Sequence, residues 1–313
     1  MQTTTFTLNA ADGVPLRVYR WLPEGAPQGV VQIAHGWAEH AARYARLAEV
    51  LCGHGYGVYA HDHRGHGHTA RTSAQLGFLA DRDGWQKCID DLWRVTQHVA
   101  AEHPDTPIFG LGHSLGSFMM QQYISEHGEA LTGVALSATN GKPPAITPLG
   151  IALAYFERLR VGAHGKSKLL HHLTFEVLNK SFEPARTPFD WLSRDASEVD
   201  KYVADPLCGF ASQVQMYIDV LRGLKEMSSP RRQARIPKSL PIYIFYGSLD
   251  PVATNVPQLL DAYRVAGLRN VTSKVYPEAR HEVLNEINRD EVTRDLLAWL
   301  AGVRAKQPVR TSV

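Results

Sequence analysis

Gly112-His113-Ser114-Leu115-Gly116 lies between a short apolar run at residues 107–111 and a segment with helical spacing that contains Met119 and Ile124. A serine between two glycines, at the point where a strand leads into a helix, is typical of a sharp turn that exposes the serine hydroxyl. Such a short pattern also arises by chance in a chain of 313 residues. The residues that the rest of the chain places beside it therefore decide its interpretation.

Short apolar runs alternate with amphipathic segments on both sides of this stretch. The runs fall at residues 5–8, 16–21, 29–34, 56–60, 107–111, 131–136, 241–246 and 271–276. The first two flank a turn signal and predict a hairpin. Helical periodicity is clearest at residues 85–99, 258–265 and 283–303. This alternation predicts an α/β fold with a mostly parallel central sheet flanked by helices.

The alternation stops near residue 139 and resumes near residue 236. The region between them has no strong strand run, and its residues 149–159 and 169–178 have helical spacing. Nearly a hundred residues are too many for a plain loop in a compact domain. We therefore predict one core built from residues 1–138 and 236–313, with a mostly helical insertion at residues 139–235.

Composition and charge exclude several classes of protein. The chain is 44% hydrophobic and 20% charged, with a net charge of +2, which gives no reason to expect a nucleic-acid partner. Its three cysteines, Cys52, Cys88 and Cys208, lack ligand spacing and predict reduced thiols. No secretory signal or run of roughly 18 apolar residues is visible. We expect a cytoplasmic protein.

Two further polar residues follow predicted strands. Asp250 follows the run at 241–246, and His281 follows the run at 271–276. In an open parallel sheet, ligands bind beyond the carboxyl ends of the strands. A serine becomes nucleophilic when an imidazole takes its proton and a carboxylate orients that imidazole. Taken singly, Asp250 could be a helix cap and His281 a surface residue, but together with Ser114 they predict a catalytic triad.

Attack by Ser114 on a carbonyl would create a negatively charged tetrahedral oxygen. Two backbone N–H groups should bind that oxyanion, one from the residue after the nucleophile and one from the loop after an earlier strand. These positions are Leu115 and Trp37, the latter following His35-Gly36.

Five motifs together resemble the monoacylglycerol lipase and lysophospholipase branch of the α/β-hydrolases, also described as serine aminopeptidase-like hydrolases. They are the segments at residues 35–40, 62–67, 112–117, 247–250 and 281–286. The likeness covers about residues 5–138 and 236–303. It implies an α/β-hydrolase fold, a helical cap at residues 139–235, and hydrolysis of carboxylic esters through an acyl-enzyme without a cofactor.

The chain departs from the usual pattern of this branch at three positions. The branch usually has glycine where Ala38 stands and commonly has glycine where Ser117 stands. Trp37 is a large residue for its position, and its ring is expected to line or narrow the acyl pocket. The ring of Trp37 is therefore expected to affect the size of the substrate.

The resemblance implies a small-molecule acyl ester as the partner, with monoacylglycerol or a similar medium-chain ester as the expected substrate. Lysophospholipase and serine aminopeptidase activities remain alternatives. Glu39 and Arg43 would lie near the polar end of the pocket and position a hydrophilic alcohol, although an ion pair one helical turn apart explains them equally well. Apolar patches at residues 149–159 and 169–178 allow transient contact with a membrane or micelle surface. The sequence does not predict an oligomeric state.

A metal-binding protein is the competing interpretation. His61, His63, His66 and His68 fall within eight residues, and imidazole is a good zinc ligand. Arg64 would oppose a bound cation, and the neighbouring glycines favour a tight turn over ligands on one helical face. We therefore predict a serine hydrolase that uses no metal and no cofactor.

Overall fold

The computed structural model describes residues 1–306, and within them eight strands form one sheet. The strands are β1 (Gln2–Asn9), β2 (Pro15–Leu22), β3 (Gly29–Ala34), β4 (Tyr56–His61), β5 (Ile108–His113), β6 (Gly133–Ser137), β7 (Ile242–Gly247) and β8 (Val271–Tyr276). Their order in the sheet is β1-β2-β4-β3-β5-β6-β7-β8. The pairs β1/β2 and β2/β4 are antiparallel, and every other pair is parallel.

Ten α-helices lie within the same described part of the chain. They are α1 (Ala45–Gly53), α2 (Gly84–Glu102), α3 (Leu115–His127), α4 (Thr147–Val161), α5 (Lys168–Thr174), α6 (Ala196–Ala204), α7 (Val214–Met227), α8 (Pro230–Gln233), α9 (Val256–Val265) and α10 (Arg289–Ala305). None of them is both long and apolar enough to span a bilayer.

Helices cover both faces of the sheet, as the alternating pattern predicts. Successive residues of β3 enter opposite cores: Val30 packs with α2, α3 and α9, whereas Val31 packs with α1 and α10. All six residues of β3 are buried, which is the reason that its sequence is almost continuously apolar. The prediction of an α/β fold with a mostly parallel sheet is confirmed.

Two predicted helices are interrupted in the structure. The segment predicted at 283–303 begins with a short 3₁₀ turn at Val283–Asn285, and α10 starts only at Arg289. The buried carboxylate of Glu286 accepts hydrogen bonds from the backbone N–H groups of Arg280 and Ile287, and these contacts hold the intervening residues as a loop. Similarly, the segment predicted at 169–178 divides into α5 and a 3₁₀ helix at Glu176–Phe182.

Residues 139–235 contain helices α4 to α8 and no strand, since only an isolated bridge joins Lys166 to Gln213. The sequence predicts only two helical segments here, so helices α6, α7 and α8 are additional. Helix α7 contributes Met216 and Val220 to the core that α2 and α3 share. The region is therefore anchored to the sheet layers through α7, while α4 and α5 pack around Ala154 and Leu170 in a smaller cluster.

Glycine at position 116 is required because β3 and α3 approach closely there. A Cβ atom on Gly116 would lie 2.1 Å from the carbonyl oxygen of Ala34 and 2.5 Å from that of His35. Both contacts are with backbone, so neither can move aside cheaply. We expect Gly116→Ala to reduce the free energy of unfolding by about 3 kcal/mol, as overpacking of a tight site does. Urea unfolding measures this change.

Gly302 provides the matched control for that substitution. It lies in α10, and a Cβ atom there would meet no atom of residues 1–306 within 4 Å apart from its own helix backbone. Gly302→Ala should leave stability unchanged or raise it by up to about 1 kcal/mol, because alanine favours a helix more than glycine does. Equal effects of the two substitutions would show that the close approach at Gly116 does not constrain the fold.

Candidate active site

Ser114 lies at the sharp turn between β5 and α3. Its backbone has φ 49° and ψ −118°, a conformation that residues with a side chain rarely adopt and that costs about 1–3 kcal/mol. The turn is held from both sides: the Ser114 N–H donates to the carbonyl oxygen of Ser137 at 3.0 Å, and the Ser117 hydroxyl donates to the carbonyl oxygen of Ser114 at 2.6 Å. The strained turn therefore presents the Ser114 side chain at the carboxyl end of the sheet.

The three residues predicted as a triad lie within hydrogen-bond distance of one another. His281 Nε2 is 2.9 Å from Ser114 Oγ, and His281 Nδ1 is 2.8 Å from Asp250 Oδ1. Asp250 lies in the loop after β7, where it also accepts a hydrogen bond from the Val252 N–H at 2.8 Å. This arrangement can pass the serine proton to the imidazole while the carboxylate fixes the imidazole orientation.

The surroundings of His281 favour its protonated form. Burial is the largest influence and by itself lowers the pKa of the imidazole, but the charge and hydrogen bond of Asp250, with smaller contributions from Glu282 and Glu39, outweigh it. The pKa of His281 therefore lies above its ordinary value of 6.5. A raised pKa makes the neutral imidazole a stronger base towards the serine hydroxyl.

The two predicted oxyanion donors belong to segments that adjoin Ser114. Leu115 is the first residue of α3, so its N–H is one of the four that a helix N-terminus leaves unpaired within the helix. Trp37 is in the loop after β3, and the neighbouring Gly36 N–H donates to Glu39 Oε1 at 2.5 Å. Both N–H groups are thus available to bind a negatively charged oxygen formed next to Ser114.

The loop after β3 is also bonded to residues 202–212. The Trp37 indole N–H donates to the Ser212 hydroxyl at 2.7 Å, and the Ala38 carbonyl oxygen accepts from the Tyr202 hydroxyl and the Gly209 N–H, both at 2.9 Å. Ala38 has φ 53°, in the left-handed region, which glycine adopts more readily than alanine does. Alanine at position 38 therefore adopts the left-handed conformation with some backbone strain.

Glu39 and Arg43 form a buried network with Glu282. The Arg43 guanidinium donates to Glu39 Oε2 at 2.7 Å and to both oxygens of Glu282 at 2.7 and 2.8 Å. Burial would raise the pKa of Glu282, but the charge and hydrogen bonds of Arg43 lower it to about 2. The adjoining cavity, which His113 and Tyr44 also line, has a volume of about 20 Å³, room for about one water molecule. The two residues therefore form the ion pair that the sequence left as an alternative.

The contacts of Glu282 and Trp191 with this site go beyond what the sequence predicts. Glu282 directly follows His281, the predicted base. Its acidic side chain was the one feature of the sequence from which a partner for Arg43 could have been predicted. Trp191 places its ring centroid 4.8 Å from that of His281. Trp191 precedes His281 by 90 residues, and nothing in the sequence predicts their contact.

The histidines at 61, 63 and 66 form a buried cluster with His35, whereas His68 is exposed. Burial lowers the pKa of all four buried rings, which favours neutral imidazoles. The guanidinium of Arg64 forms ion pairs with Asp91 and Asp12. The alternative of a metal-binding protein built on this cluster gains no support from this geometry.

Within residues 1–306, metal-ligating atoms of three side chains come within 4.8 Å of one another only at His40, Asp205 and Cys208. His40 Nε2 is already bonded to Asp205 Oδ2 at 2.8 Å. Burial raises the pKa of the Cys208 thiol, and the charge of Arg43 offsets this only in part. The protonated thiol is therefore favoured, and it is a poor metal ligand.

Similarity to known proteins agrees with this geometry. A family model described as "Serine aminopeptidase, S33" matches residues 25–288. A monoacylglycerol lipase of Mycolicibacterium smegmatis is 31% identical over 285 residues, which cover 90% of each chain. A monoglyceride lipase of Mus musculus is 30% identical over 290 residues, covering 89% of this chain and 87% of the relative. The crystal structure of a thermostable carboxyl esterase from Bacillus coagulans in complex with glycerol superimposes with a TM-score of 0.89 at 26% identity, covering 97% of this chain and 99% of that one.

Proposed function

The chain belongs to the serine aminopeptidase, S33, family of α/β-hydrolases, and we propose that within it the protein hydrolyses monoacylglycerols or similar medium-chain acyl esters. It is a carboxylic ester hydrolase of the serine type. The observation that carries the proposal is the unbroken chain of contacts from Ser114 Oγ through His281 to Asp250, at 2.9 and 2.8 Å.

In the proposed mechanism, Ser114 attacks the ester carbonyl while His281 takes its proton. Asp250 stays ionised and holds the His281 tautomer in which Nδ1 carries the proton and Nε2 accepts. The N–H groups of Leu115 and Trp37 stabilise the tetrahedral oxyanion. His281 then protonates the departing alcohol, and water hydrolyses the acyl-enzyme through the same histidine.

The choice of substrate rests on relatives named as monoacylglycerol and monoglyceride lipases, and on an esterase crystallised with glycerol. The proposed small-molecule partner is an acyl ester with a hydrophilic alcohol. Lysophospholipase activity remains the nearest alternative. For a serine aminopeptidase, an acidic side chain such as Glu176, Glu183 or Asp205 should receive the substrate amine. Glu176 is bonded to His172 and Asp205 to His40, and Glu183 is exposed. No observation favours a peptide over an ester.

We further propose that residues 1–138 and 236–313 form the hydrolase core and that residues 139–235 act as a cap over Ser114. The position of α4 to α8 between β6 and β7 supports this division. Transient contact of the cap with a membrane or micelle surface is supported by large apolar side chains that α4, α5 and the preceding turn expose. They are Ile146, Leu149, Phe156, Leu159, Leu169 and Leu173. The three cysteines are free and buried, which supports the proposed cytoplasmic location.

The role of Glu39 and Arg43 in holding the alcohol remains a hypothesis. Their charged groups are bonded to each other, to Gly36 and to Glu282, so an alcohol would have to reach them through the small cavity beside His113. The Michaelis constant of Glu39→Gln for monoacylglycerol tests the hypothesis. An unchanged constant would leave the pair with a structural role alone.

The activity should fall at acid pH. The neutral form of His281 accepts the serine proton, and the pKa of that imidazole is raised above 6.5. As pH decreases through this pKa, the imidazole becomes protonated and kcat/KM should fall, with the midpoint above pH 6.5. The measurement is the kcat/KM of a nitrophenyl ester between pH 5 and 9, with circular dichroism at each pH to verify folding. A rate that is constant from pH 5 to 8 would mean that another group is the base.

A panel of substrates tests the proposed function. Monoacylglycerols of different chain length, lysophospholipids, short nitrophenyl esters and aminoacyl amides should be compared, with Ser114→Ala as the blank. We expect the highest kcat/KM for medium-chain monoacylglycerols. Faster cleavage of aminoacyl amides or lysophospholipids would replace the proposed substrate by one of the alternatives.

A further inference from the structure

Trp191 belongs to a segment that is bonded directly to the loop carrying His281. The Trp191 carbonyl oxygen accepts from the His281 N–H at 3.3 Å, and the Leu192 carbonyl oxygen accepts from the Glu282 N–H at 2.7 Å. The Trp191 N–H donates in turn to Asn179 Oδ1 at 2.9 Å. The backbone of Trp191 is therefore fixed relative to the base.

The Trp191 side chain forms a wall beside the imidazole. Its ring centroid is 4.8 Å from that of His281, with an angle of 41° between the planes, and only 5% of the residue is exposed. It packs in one cluster with Leu192, Tyr202 and Cys208, and Val252, two residues after Asp250, packs against the same cluster. A group bound next to His281 on this side would contact the indole.

The indole N–H is a buried donor without an acceptor. Among residues 1–306, Trp191 Nε1 has no hydrogen-bond partner although it is shielded from solvent. Leaving a buried donor unpaired costs about 1–3 kcal/mol, and buried indole N–H groups usually have a partner. By contrast, Trp37 and Trp85 donate to Ser212 and Gln122. The unpaired donor at Trp191 thus belongs to the ring that packs on the imidazole of His281.

The chemistry of the ester determines which part of it can be that acceptor. An acyl chain consists of CH₂ groups and offers no acceptor, and the carbonyl oxygen is directed to the Leu115 and Trp37 amides. The bridging ester oxygen receives its proton from His281 as the alcohol leaves. The other oxygens of a monoacylglycerol are the hydroxyls of its alcohol half. We propose that the Trp191 indole N–H donates a hydrogen bond to a hydroxyl of the leaving alcohol and so selects esters of hydroxylated alcohols. This inference rests on the proposed function of an ester hydrolase.

The test uses three esters of one acid: 1-lauroylglycerol, 2-hydroxyethyl laurate and ethyl laurate. Trp191→Phe keeps an aromatic ring but removes the N–H. Since a neutral hydrogen bond contributes about 0.5–1.5 kcal/mol, we expect KM for the two hydroxylated esters to rise about 3- to 10-fold, with ethyl laurate changed less than twofold. Trp191→His, which retains a ring N–H, should recover part of the preference for the hydroxylated esters. Trp93→Phe, a partly buried tryptophan that stacks on His127, is the matched control and should change none of them.

Each other outcome overturns the inference in a recognisable way. Equal KM changes for all three esters would mean that the shape of the ring matters and not its N–H. An equal fall in kcat for all three would place the N–H on the attacking water. No change would leave the donor without a role in the reaction. If the wild-type protein cleaves hydroxyethyl and ethyl laurate but not 1-lauroylglycerol, the proposed substrate fails, while the first two esters still test Trp191.

Discussion

Replacing Ser114 with alanine should reduce the rate of ester hydrolysis by about 10⁴-fold or more while the protein remains folded. The substitution removes only the Oγ atom that lies 2.9 Å from His281 Nε2. Without it, His281 and the oxyanion donors remain but no covalent acyl-enzyme can form. Alanine keeps a Cβ atom at the same strained backbone position, so the turn should retain its conformation. Initial rates with a nitrophenyl ester and thermal unfolding measure the two effects separately.

Ser125→Ala is the matched control for this substitution. Ser125 is a buried serine within α3, and its hydroxyl donates to the carbonyl oxygen of Gln122 at 2.7 Å. Its replacement should change the rate less than about threefold, since it removes one local hydrogen bond. Activity of Ser114→Ala near that of the wild-type protein would exclude Ser114 as the nucleophile.

Asp250→Asn should lower kcat by about 10⁴-fold without changing the shape of the site. Asp250 Oδ1 accepts a hydrogen bond from the Nδ1–H of His281 at 2.8 Å. This fixes the proton on Nδ1 and leaves Nε2 free to accept a hydrogen bond from Ser114. An amide can donate its own N–H to Nδ1 and thereby place the imidazole proton on Nε2. In that tautomer His281 cannot take the serine proton. The loss should appear in kcat, with KM nearly unchanged, because the carboxylate does not contact the ester.

Asp261→Asn makes the same chemical change at a site remote from Ser114. Asp261 is exposed on α9 and pairs only with Arg264 at 3.3 Å, so its replacement should leave kcat unchanged. If Asp250→Asn retained activity within tenfold of wild type, another carboxylate would have to orient His281. Glu282, adjacent in the chain and bound by Arg43, would then be the first to examine.

The contacts among Ser114, Asp250 and His281 could be predicted from the sequence because each residue follows a short apolar run. In a parallel sheet the carboxyl ends of the strands meet at one edge, so residues 167 positions apart come together by topology alone. The turn at Ser114 could also be predicted, because the glycine at position 116 is part of the short motif. A Cβ atom on Gly116 would lie only 2.1 Å from a backbone oxygen, so no larger residue fits there. Short motifs therefore mark the positions at which the backbone geometry permits only a few types of residue.

Contacts between side chains from distant segments could not be predicted in this way. The ion pair of Arg43 with Glu282 joins the segments that follow β3 and β8. The packing of Trp191 on His281 joins the region between β6 and β7 to the loop after β8. No periodic pattern encodes such contacts. The start of α10 was also misplaced, because the buried carboxylate of Glu286 binds nearby backbone N–H groups and outweighs the helical spacing of residues 283–288.

The most direct test of the account is covalent labelling of the intact protein with a fluorophosphonate, followed by peptide mass spectrometry. An activated serine attacks phosphorus and retains the phosphonyl group, so the label reports the nucleophile without assuming a substrate. We expect one adduct per chain, located on Ser114, with no adduct on Ser114→Ala and strongly slowed labelling of Asp250→Asn. An adduct on another residue, or stoichiometric labelling of Ser114→Ala, would contradict the assignment of Ser114, His281 and Asp250 as the reacting group of this enzyme.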